Sequence, residues 1–350
     1  MSSKYVAYAS TYTMRNEENG IHIFDVDLEN GRMTERGQVE VTNASYVISS
    51  HSKKYLYSVT DMGITAFKIL PDGDLEKINR ASINGMRGCY LCTDREDKFI
   101  FCAGYHDGKI TVLRLNEDGS VGEITDEVFH KGLGSVAERS FRPHISCVKM
   151  TRDNKYLCAA DLGIDHINVY ELDHERGTLR RADIVRCDIE SAPRHIQFSR
   201  DGRFMYVVCE LKNCIDVYSY RDENGMPYFD EIQSISTSEK NSDMGVAACT
   251  VTMSADGKYI LSSNAGENTV AMYSVNQENG KLTRVFCLPI SGEYPKDTRL
   301  FPDNKHLVCL NHESNSMTFF TVDPKKKTLV MNGPEVKIKQ GNSIIFHSLD

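Results

Sequence analysis

The sequence lacks several features that would place it in a familiar class at once. No apolar stretch reaches the ~18 residues of a membrane-spanning helix, so no membrane span is expected. No segment keeps an apolar period of 3.6 residues, so helices should be few. A glycine loop followed by Lys-Ser or Lys-Thr is missing, which argues against the common phosphate-cradling nucleotide site. A formal net charge of −8 gives no general attraction for nucleic acid or an anionic membrane.

Eleven cysteines are present, but their number and distribution do not indicate disulfides. The number is odd, and Cys102, Cys158 and Cys309 lie inside strand-like apolar runs. Buried free thiols in a reducing compartment explain both facts better. Residues 1–4 lead directly into a strand pattern, so no signal peptide is expected. We therefore predict a cytoplasmic protein.

A basic residue followed by an aromatic one recurs about every fifty residues. The seven pairs are Lys4-Tyr5, Lys54-Tyr55, Lys98-Phe99, Lys155-Tyr156, Arg203-Phe204, Lys258-Tyr259 and Lys305-His306. We call the second member of each pair the anchor; in the last pair it is a histidine. Four anchors follow a turn pair of the Asp-Asn or Asp-Gly type, at residues 153–154, 201–202, 256–257 and 303–304. Such pairs supply the positive φ that a tight hairpin needs.

Around each anchor the pattern predicts four short antiparallel strands, which together make one propeller blade. The sequence therefore predicts an all-β, seven-bladed β-propeller in a single domain spanning residues 1–350. The first repeat has no room for a strand before Tyr5, and a spare strand pattern, Ser343–Phe346, ends the chain. We predict that this strand becomes the innermost one of the first blade and closes the ring, which removes free sheet edges. Two stacked β-sandwiches are the alternative, but they do not explain seven units in one frame.

The innermost strands of a propeller begin around the mouth of a central funnel, where a ligand can bind. Ten residues before six of the anchors lie Ser45, Cys89, Ser146, Arg194, Cys249 and Lys296. Neighbouring positions add Arg87, Arg142, His144 and His195. Because residues two apart on a strand share a face, His144 is expected on the side of Ser146. These cations could form a ring that binds a carboxylate or phosphate, or they could be rim residues paired with acidic side chains.

A second set of polar residues follows the strands that the anchors begin, and it includes His106, Glu210 and Asn264. Glu210 comes after an apolar strand, so its carboxyl group should either have a raised pKa or be held by a cation. Arg194, on the same blade, is the obvious partner, and a purely structural ion pair is the alternative. Cys89 and Cys92 have zinc-knuckle spacing but no second pair to complete a site, so we expect neither a metal nor a cofactor.

Several of these residues occur in runs that resemble the propeller lactonase family. The resemblance covers nearly the whole chain and is carried by Arg142-Pro143-His144, by Asp161-Leu162-Gly163-Ile164-Asp165, and by Ala192-Pro193-Arg194-His195 with Glu210. The family includes bacterial 6-phosphogluconolactonases, which hydrolyse a sugar-phosphate lactone. It also includes fungal 3-carboxy-cis,cis-muconate cycloisomerases, which close a lactone. The resemblance implies metal-independent chemistry on a small substrate.

The resemblance also implies a catalytic set of a His, two Arg and a Glu, and this chain keeps only part of it. Arg194 and Glu210 match by motif and by frame. The family's inner His position is occupied by Ser146, with His144 two residues earlier. The family's second Arg position is occupied by Ala265. The active site is therefore expected to be altered.

The leading hypothesis is a hydrolase that acts on a small anionic or sugar-derived lactone. The proposed catalytic residues are His144, Arg194 and Glu210, and the proposed substrate-binding residues are Arg87, His106, Arg142, His195, Asn264 and Lys296. An isomerase or lyase on a small carboxylated substrate is the first alternative. A non-catalytic propeller that binds a metabolite is the second, since propellers often serve as platforms. No nucleic-acid or membrane partner is expected.

Overall fold

Every anchor begins a β-strand. The computed structural model describes residues 4–12, 20–134, 141–239 and 245–349, and all seven anchors are the first residues of strands. Four of these strands are buried along their whole length, because each is the second strand of its blade and packs between neighbouring blades. Residues 1–3, on which the expectation about a signal peptide partly rests, lie outside the described residues.

Strands in the described residues form seven antiparallel sheets, one for each repeat. The first blade contains β1 (Tyr5–Thr11), β2 (Gly20–Asp27), β3 (Arg32–Glu40) and, from the end of the chain, β29 (Gly341–Ser348). The second contains β4 (Val47–Ser49), β5 (Tyr55–Thr60), β6 (Gly63–Ile69) and β7 (Leu75–Ser82). The third contains β8 (Tyr90–Thr93), β9 (Phe99–Gly104), β10 (Lys109–Leu115) and β11 (Val121–Phe129).

The remaining four blades follow the same plan. The fourth contains β12 (Ile145–Met150), β13 (Tyr156–Asp161), β14 (His166–Asp173) and β15 (Thr178–Arg186). The fifth contains β16 (Pro193–Phe198), β17 (Phe204–Cys209), β18 (Cys214–Glu223) and β19 (Met226–Ser236). The sixth contains β20 (Ala247–Met253), β21 (Tyr259–Ala265), β22 (Thr269–Val275) and β23 (Leu282–Pro289). The seventh contains β24 (Pro295–Leu300), β25 (His306–Asn311), β26 (Ser316–Asp323) and β27 (Thr328–Met331), and the short β28 (Val336–Lys337) also pairs with β26.

The C-terminal strand closes the ring, as the sequence predicts. β29 pairs antiparallel with β1, and Tyr8 lies opposite Ile345. It also contacts β24 of the seventh blade and β4 of the second, so the innermost strands form an unbroken circle. The seven-bladed propeller is thus confirmed. The described residues contain no helix, and hence none that could cross a bilayer.

Four of the anchor rings, those of Tyr55, Phe99, Phe204 and His306, pack against glycines in the outer turns of the next blade. A Cβ added to Gly177 of the fourth blade would lie 2.2 Å from the ring of Phe99 in the third blade. His306 occupies the corresponding place against Gly31, between the seventh blade and the first. A flat ring lying over a turn without a side chain explains why both the aromatic residue and the glycine recur. It also explains why an imidazole ring is accepted at the seventh anchor.

We predict that Gly177→Ala destabilises the protein by ~1–3 kcal/mol more than Gly225→Ala, because the new methyl group overpacks against Phe99. Both glycines lie in outer hairpin turns with positive φ, +71° and +79°, so the backbone strain is matched. Gly225 has no heavy atom within 4 Å of an added Cβ, which makes its variant the control. Denaturant unfolding measures both free energies. Equal losses would show that the contact between the blades contributes nothing.

Candidate functional site

A β-bulge shapes the start of the innermost strands and directs two successive side chains toward the funnel. In five blades the pairing of this strand shifts by one residue, and the extra residues are Ser146, Arg194, Cys249, Lys296 and Asn342. The first four lie ten residues before their anchors, the positions that the sequence frame singles out. A bulge leaves the extra residue unpaired and interrupts the alternation of faces. Arg194 and His195 therefore both line the funnel, as do Lys296 and Asp297.

The funnel encloses a cavity of about 480 Å³. Of the residues proposed from the sequence, its wall contains Arg87, His106, Arg194, His195, Glu210 and Lys296. Tyr46 stacks on Tyr90 with ring centroids 4.1 Å apart, and Tyr90 contacts His195 at 5.3 Å, so one side of the wall is aromatic. The volume is in the range of small-molecule sites.

Three proposed residues lie outside this wall. The prediction that His144 and Ser146 share a face is wrong, because the bulge at Ser146 interrupts the alternation of side chains along the strand. The His144 ring instead stacks on Tyr105 at 4.4 Å, and its Nδ1 donates to the Tyr105 carbonyl at 2.7 Å. Arg142 donates to the carbonyl of His106 from the rim.

Asn264 does not face the funnel either. It is fully buried, and its amide donates to the carbonyl of Thr237 at 2.8 Å and to the hydroxyl of Thr269 at 3.0 Å. These hydrogen bonds hold the end of β21 against the adjacent segments, so the role of Asn264 is structural.

Arg194 and Glu210 form the buried ion pair that the sequence indicates. Their side chains are 15% and 4% exposed, and an Arg194 amino group donates to Glu210 Oε2. Burial alone would lower the pKa of the guanidinium, but the carboxylate charge outweighs it and the pKa is raised. Arg194 therefore stays charged and faces the cavity with its counter-ion beside it.

Positive charge dominates the cavity. Its wall carries five Lys and Arg side chains, Arg87, Lys149, Arg194, Lys296 and Arg299, and two carboxylates, Glu210 and Asp297. Asp297 lies 3.4 Å from Arg299 and also accepts from the backbone of Ile344 in the closing strand. In a chain of net charge −8, the funnel thus carries a local excess of cations. The arrangement attracts an anion.

The imidazoles of the wall are held neutral. Burial lowers the pKa of His195 well below its usual value, and the charges of Arg194, Lys296, Arg299 and Lys149 lower it further. Burial and nearby cations also lower the pKa of His106 and of His312. His312 Nδ1 lies 3.2 Å from the carbonyl of Gly341 and so carries the proton, which leaves its Nε2 as an acceptor in the neutral ring.

His312 was not among the proposed site residues, although the repeat frame contains the signal for it. It lies six residues after its anchor, as Glu210 does, and Tyr105 and Leu162 occupy the same position in their blades. All four line the cavity. Lys149 and Arg299 also line the cavity, and both lie seven residues before their anchors, so the repeat frame relates them in the same way.

One cluster in the described residues has metal-ligand chemistry, and it lies apart from the cavity wall. The side-chain ligand atoms of Cys209, Cys214 and Asp216 are within 4.8 Å of one another. Cys209 Sγ lies 3.2 Å from Asp216 Oδ2, and Cys214 Sγ lies 3.4 Å from Oδ1. Both thiols donate to the carboxylate, so the three groups satisfy one another as hydrogen-bond partners.

Comparison with known proteins agrees with this architecture. A family model described as "Lactonase, 7-bladed beta-propeller" matches residues 6–346. The 6-phosphogluconolactonase of Bacillus subtilis is 30% identical over 335 residues, which cover 94% of each chain.

Solved structures give the same result. A Bacteroides fragilis protein described as a candidate 6-phosphogluconolactonase superposes with a TM-score of 0.89 at 30% identity, covering 99% of this chain and 98% of its own. The periplasmic gluconolactonase of Pseudomonas aeruginosa, at 24% identity, has a TM-score of 0.92 and covers 99% of this chain and 100% of its own. At that identity the second likeness shows a shared fold alone.

We predict that His195 takes up a proton at a pH well below the ~6.5 of a free histidine, because burial and cations disfavour its charged form. Lys296→Gln should raise the pKa of His195, since it removes one of those cations. Lys326→Gln, in an exposed turn next to Asp323, should leave it unchanged. Side-chain ¹⁵N NMR titration measures all three. A wild-type His195 that titrates near 6.5 would refute the cationic environment.

Proposed function

Because the chain belongs to the seven-bladed β-propeller lactonase family, we propose that it hydrolyses a small anionic, sugar-derived lactone in the funnel. The observation that carries the proposal is the wall of five cations and two carboxylates in an otherwise acidic chain. A phosphate or carboxylate group on the lactone would supply the missing negative charge. The volume of about 480 Å³ accommodates a sugar-sized ring bearing such a group.

In this proposal Arg194 stabilises the oxyanion that forms when water attacks the lactone carbonyl. Its guanidinium is buried, charged and at the cavity wall, where a charge-assisted donor is most effective. Glu210 acts as general base and takes a proton from the attacking water. The ester C–O bond of the ring then breaks, and the leaving alkoxide takes the proton from Glu210. The product is an open hydroxy acid.

The anionic group of the substrate is assigned to Arg87 and Lys296. Arg87 donates to the hydroxyl of Tyr12 and lies over its ring, with 4.4 Å from Cζ to the ring centroid. Lys296 lies 5.2 Å from the centroid of Tyr294. Neutral His106 and His195 can exchange hydrogen bonds with substrate hydroxyl groups. Arg142 and Asn264 are not given a role in binding, because neither lines the cavity.

The resemblance implies that the site differs from the family's set at two positions, and the surroundings of both residues support this proposal. Ser146 Oγ donates to the carbonyl of Pro193 at 3.0 Å, and a serine is a poor base there. Ala265 is buried and brings no charge. His144 reaches the cavity only through Tyr105, so we assign it the positioning of that ring. The base role falls to Glu210, and since Arg194 supplies the oxyanion's counter-charge, we propose that the reaction needs no metal.

We predict that 6-phosphogluconolactone is hydrolysed well above its spontaneous rate, with kcat/KM at least ~10-fold higher than that of glucono-δ-lactone. Lys296→Gln should reduce this preference, because it removes a cation assigned to the phosphate, and Lys326→Gln should not. A chelator should leave turnover unchanged. Lactone loss at the spontaneous rate with both substrates would contradict the proposal.

We predict that Glu210→Gln and Arg194→Gln each lower kcat by ~10² or more, since one removes the base and the other the oxyanion donor. His144→Gln and His312→Gln should cost less than ~10-fold. Breaking a buried ion pair can also unfold the protein, so the double variant R194Q/E210Q, which leaves no unpaired charge, checks folding by thermal melting. A larger loss in H312Q than in E210Q would transfer the base role to His312.

A binding protein without catalysis is the second candidate. The observation in its favour is that Arg194, the proposed oxyanion donor, is already occupied by Glu210. Calorimetry with 6-phosphogluconate, paired with the turnover assay, separates the two, because a binding protein takes up the acid and leaves the lactone intact. Deuterium from solvent at carbon in the recovered product would instead indicate an isomerase. A cytoplasmic location stays a prediction.

A further inference from the structure

The face opposite the funnel carries an arginine at the same turn position in three consecutive blades. Arg95, Arg152 and Arg200 each lie four residues before the anchor of their blade, in the turn that follows the innermost strand. Arg200 is six residues beyond Arg194, and six strand residues span ~20 Å. The three arginines are therefore at the far end of the strands whose beginnings form the funnel.

Each of these turns packs against the turn of the next blade. A Cβ added to Gly202 would lie 2.7 Å from the Cβ of Arg152. A Cβ added to Gly257 would lie 2.9 Å from the Cδ of Arg200. The backbone of Arg95 donates to Asn154 Oδ1 at 2.8 Å. Glycine at 202 and 257 lets the arginine stems lie directly on the neighbouring turn. The stems are thus supported by the fold rather than extended freely into solvent.

Two concavities meet at this cluster. One, of about 380 Å³, is lined by all three arginines together with Arg203. The other, of about 150 Å³, is lined by Arg95, Arg152 and Lys149. Lys149 also lines the funnel, so it lies in the wall between the two ends of the central channel.

Two carboxylates, Asp153 and Asp201, also line the larger concavity, and both are engaged by side chains other than the three turn arginines. Asp153 accepts from Thr151 at 2.5 Å and from the hydroxyl of Tyr220 at 2.7 Å. Asp201 accepts from Ser199 at 2.6 Å and pairs with Arg203 at 2.6 Å. Within the described ranges, none of the three turn arginines makes an ion pair.

The electrostatics follow from this geometry. Burial lowers the pKa of the Arg152 guanidinium, and the charges of Arg95 and Arg200 lower it further. Three mutually repelling cations on a chain of net charge −8 are an arrangement that a bound anion relieves.

We propose that Arg95, Arg152 and Arg200 form a second anion site, on the face opposite the funnel, that binds a small ligand bearing a phosphate group. Guanidinium forks match phosphate oxygens in pairs, and three converging arginines can engage all of its free oxygens. The concave shape suits a small molecule better than it suits the flatter surface of a macromolecular partner. The site is independent of the lactone hydrolysis proposed above.

Inorganic phosphate is the probe, and the rise in melting temperature with phosphate at constant ionic strength is the readout. We expect both anion sites to contribute to the wild-type rise. Arg152→Gln and Arg200→Gln should each remove a distinct part of it, corresponding to at least ~10-fold weaker phosphate binding at the second site. Arg203→Gln is the matched control, because Arg203 lines the same concavity but is paired with Asp201, and it should retain the wild-type rise.

A crystal of the full chain soaked in phosphate gives the position directly. Density for an anion between the three guanidinium groups, lost in R152Q, supports the proposal. Equal thermal shifts in R152Q, R203Q and the wild type would overturn it, as would phosphate density in the funnel alone. Phosphate binding is read without substrate, so a failed lactone assay leaves this result unaffected.

Discussion

Contact between one blade and the next is the constraint on which the rest of the molecule depends. A blade of four short strands has two apolar faces and cannot bury both by itself. Four anchor rings lie on glycines in an outer turn of the following blade, and Gly177 against Phe99 shows how little room is left. Contacts between neighbouring blades, together with the closing strand, complete the circle, and β29 supplies the one innermost strand that the N-terminal repeat lacks. The candidate functional site lies in the funnel at the centre of that circle.

The funnel owes its chemistry to an irregularity in otherwise regular strands. A strict alternation would send only every second residue of the innermost strands toward the axis. The bulge places Arg194 next to His195 and Lys296 next to Asp297 on the same wall, so charge is concentrated where the strands begin. Burial and the crowded cations then depress the pKa of His195, while the carboxylate of Glu210 offsets the burial of Arg194 and raises the pKa of its guanidinium. The chain as a whole is acidic, whereas the wall of the funnel is basic.

The same strands connect two ends of different character. At one end lie the aromatic rings, the neutral imidazoles and the Arg194–Glu210 pair, a set suited to holding and cleaving a small anionic molecule. At the other end lie three turn arginines that make no ion pair among the described residues and share their concavity with Asp153 and Asp201. Lys149 stands between them. Because both sets occur at fixed distances from the anchors, one repeat frame positions both.

The sequence alone was enough for the number of blades, the four strands of each, the closing strand and the pairing of Arg194 with Glu210. These follow from local pattern: a repeated basic–aromatic pair, turn residues with positive φ, and a fixed spacing from each anchor. The positions of His144, Arg142 and Asn264 relative to the cavity were decided only by the tertiary structure. A β-bulge depends on the pairing of two strands, which a single strand's alternation does not contain. Which side chains then meet across the funnel depends on blades that are up to six repeats apart in the chain and adjacent only after the ring has closed.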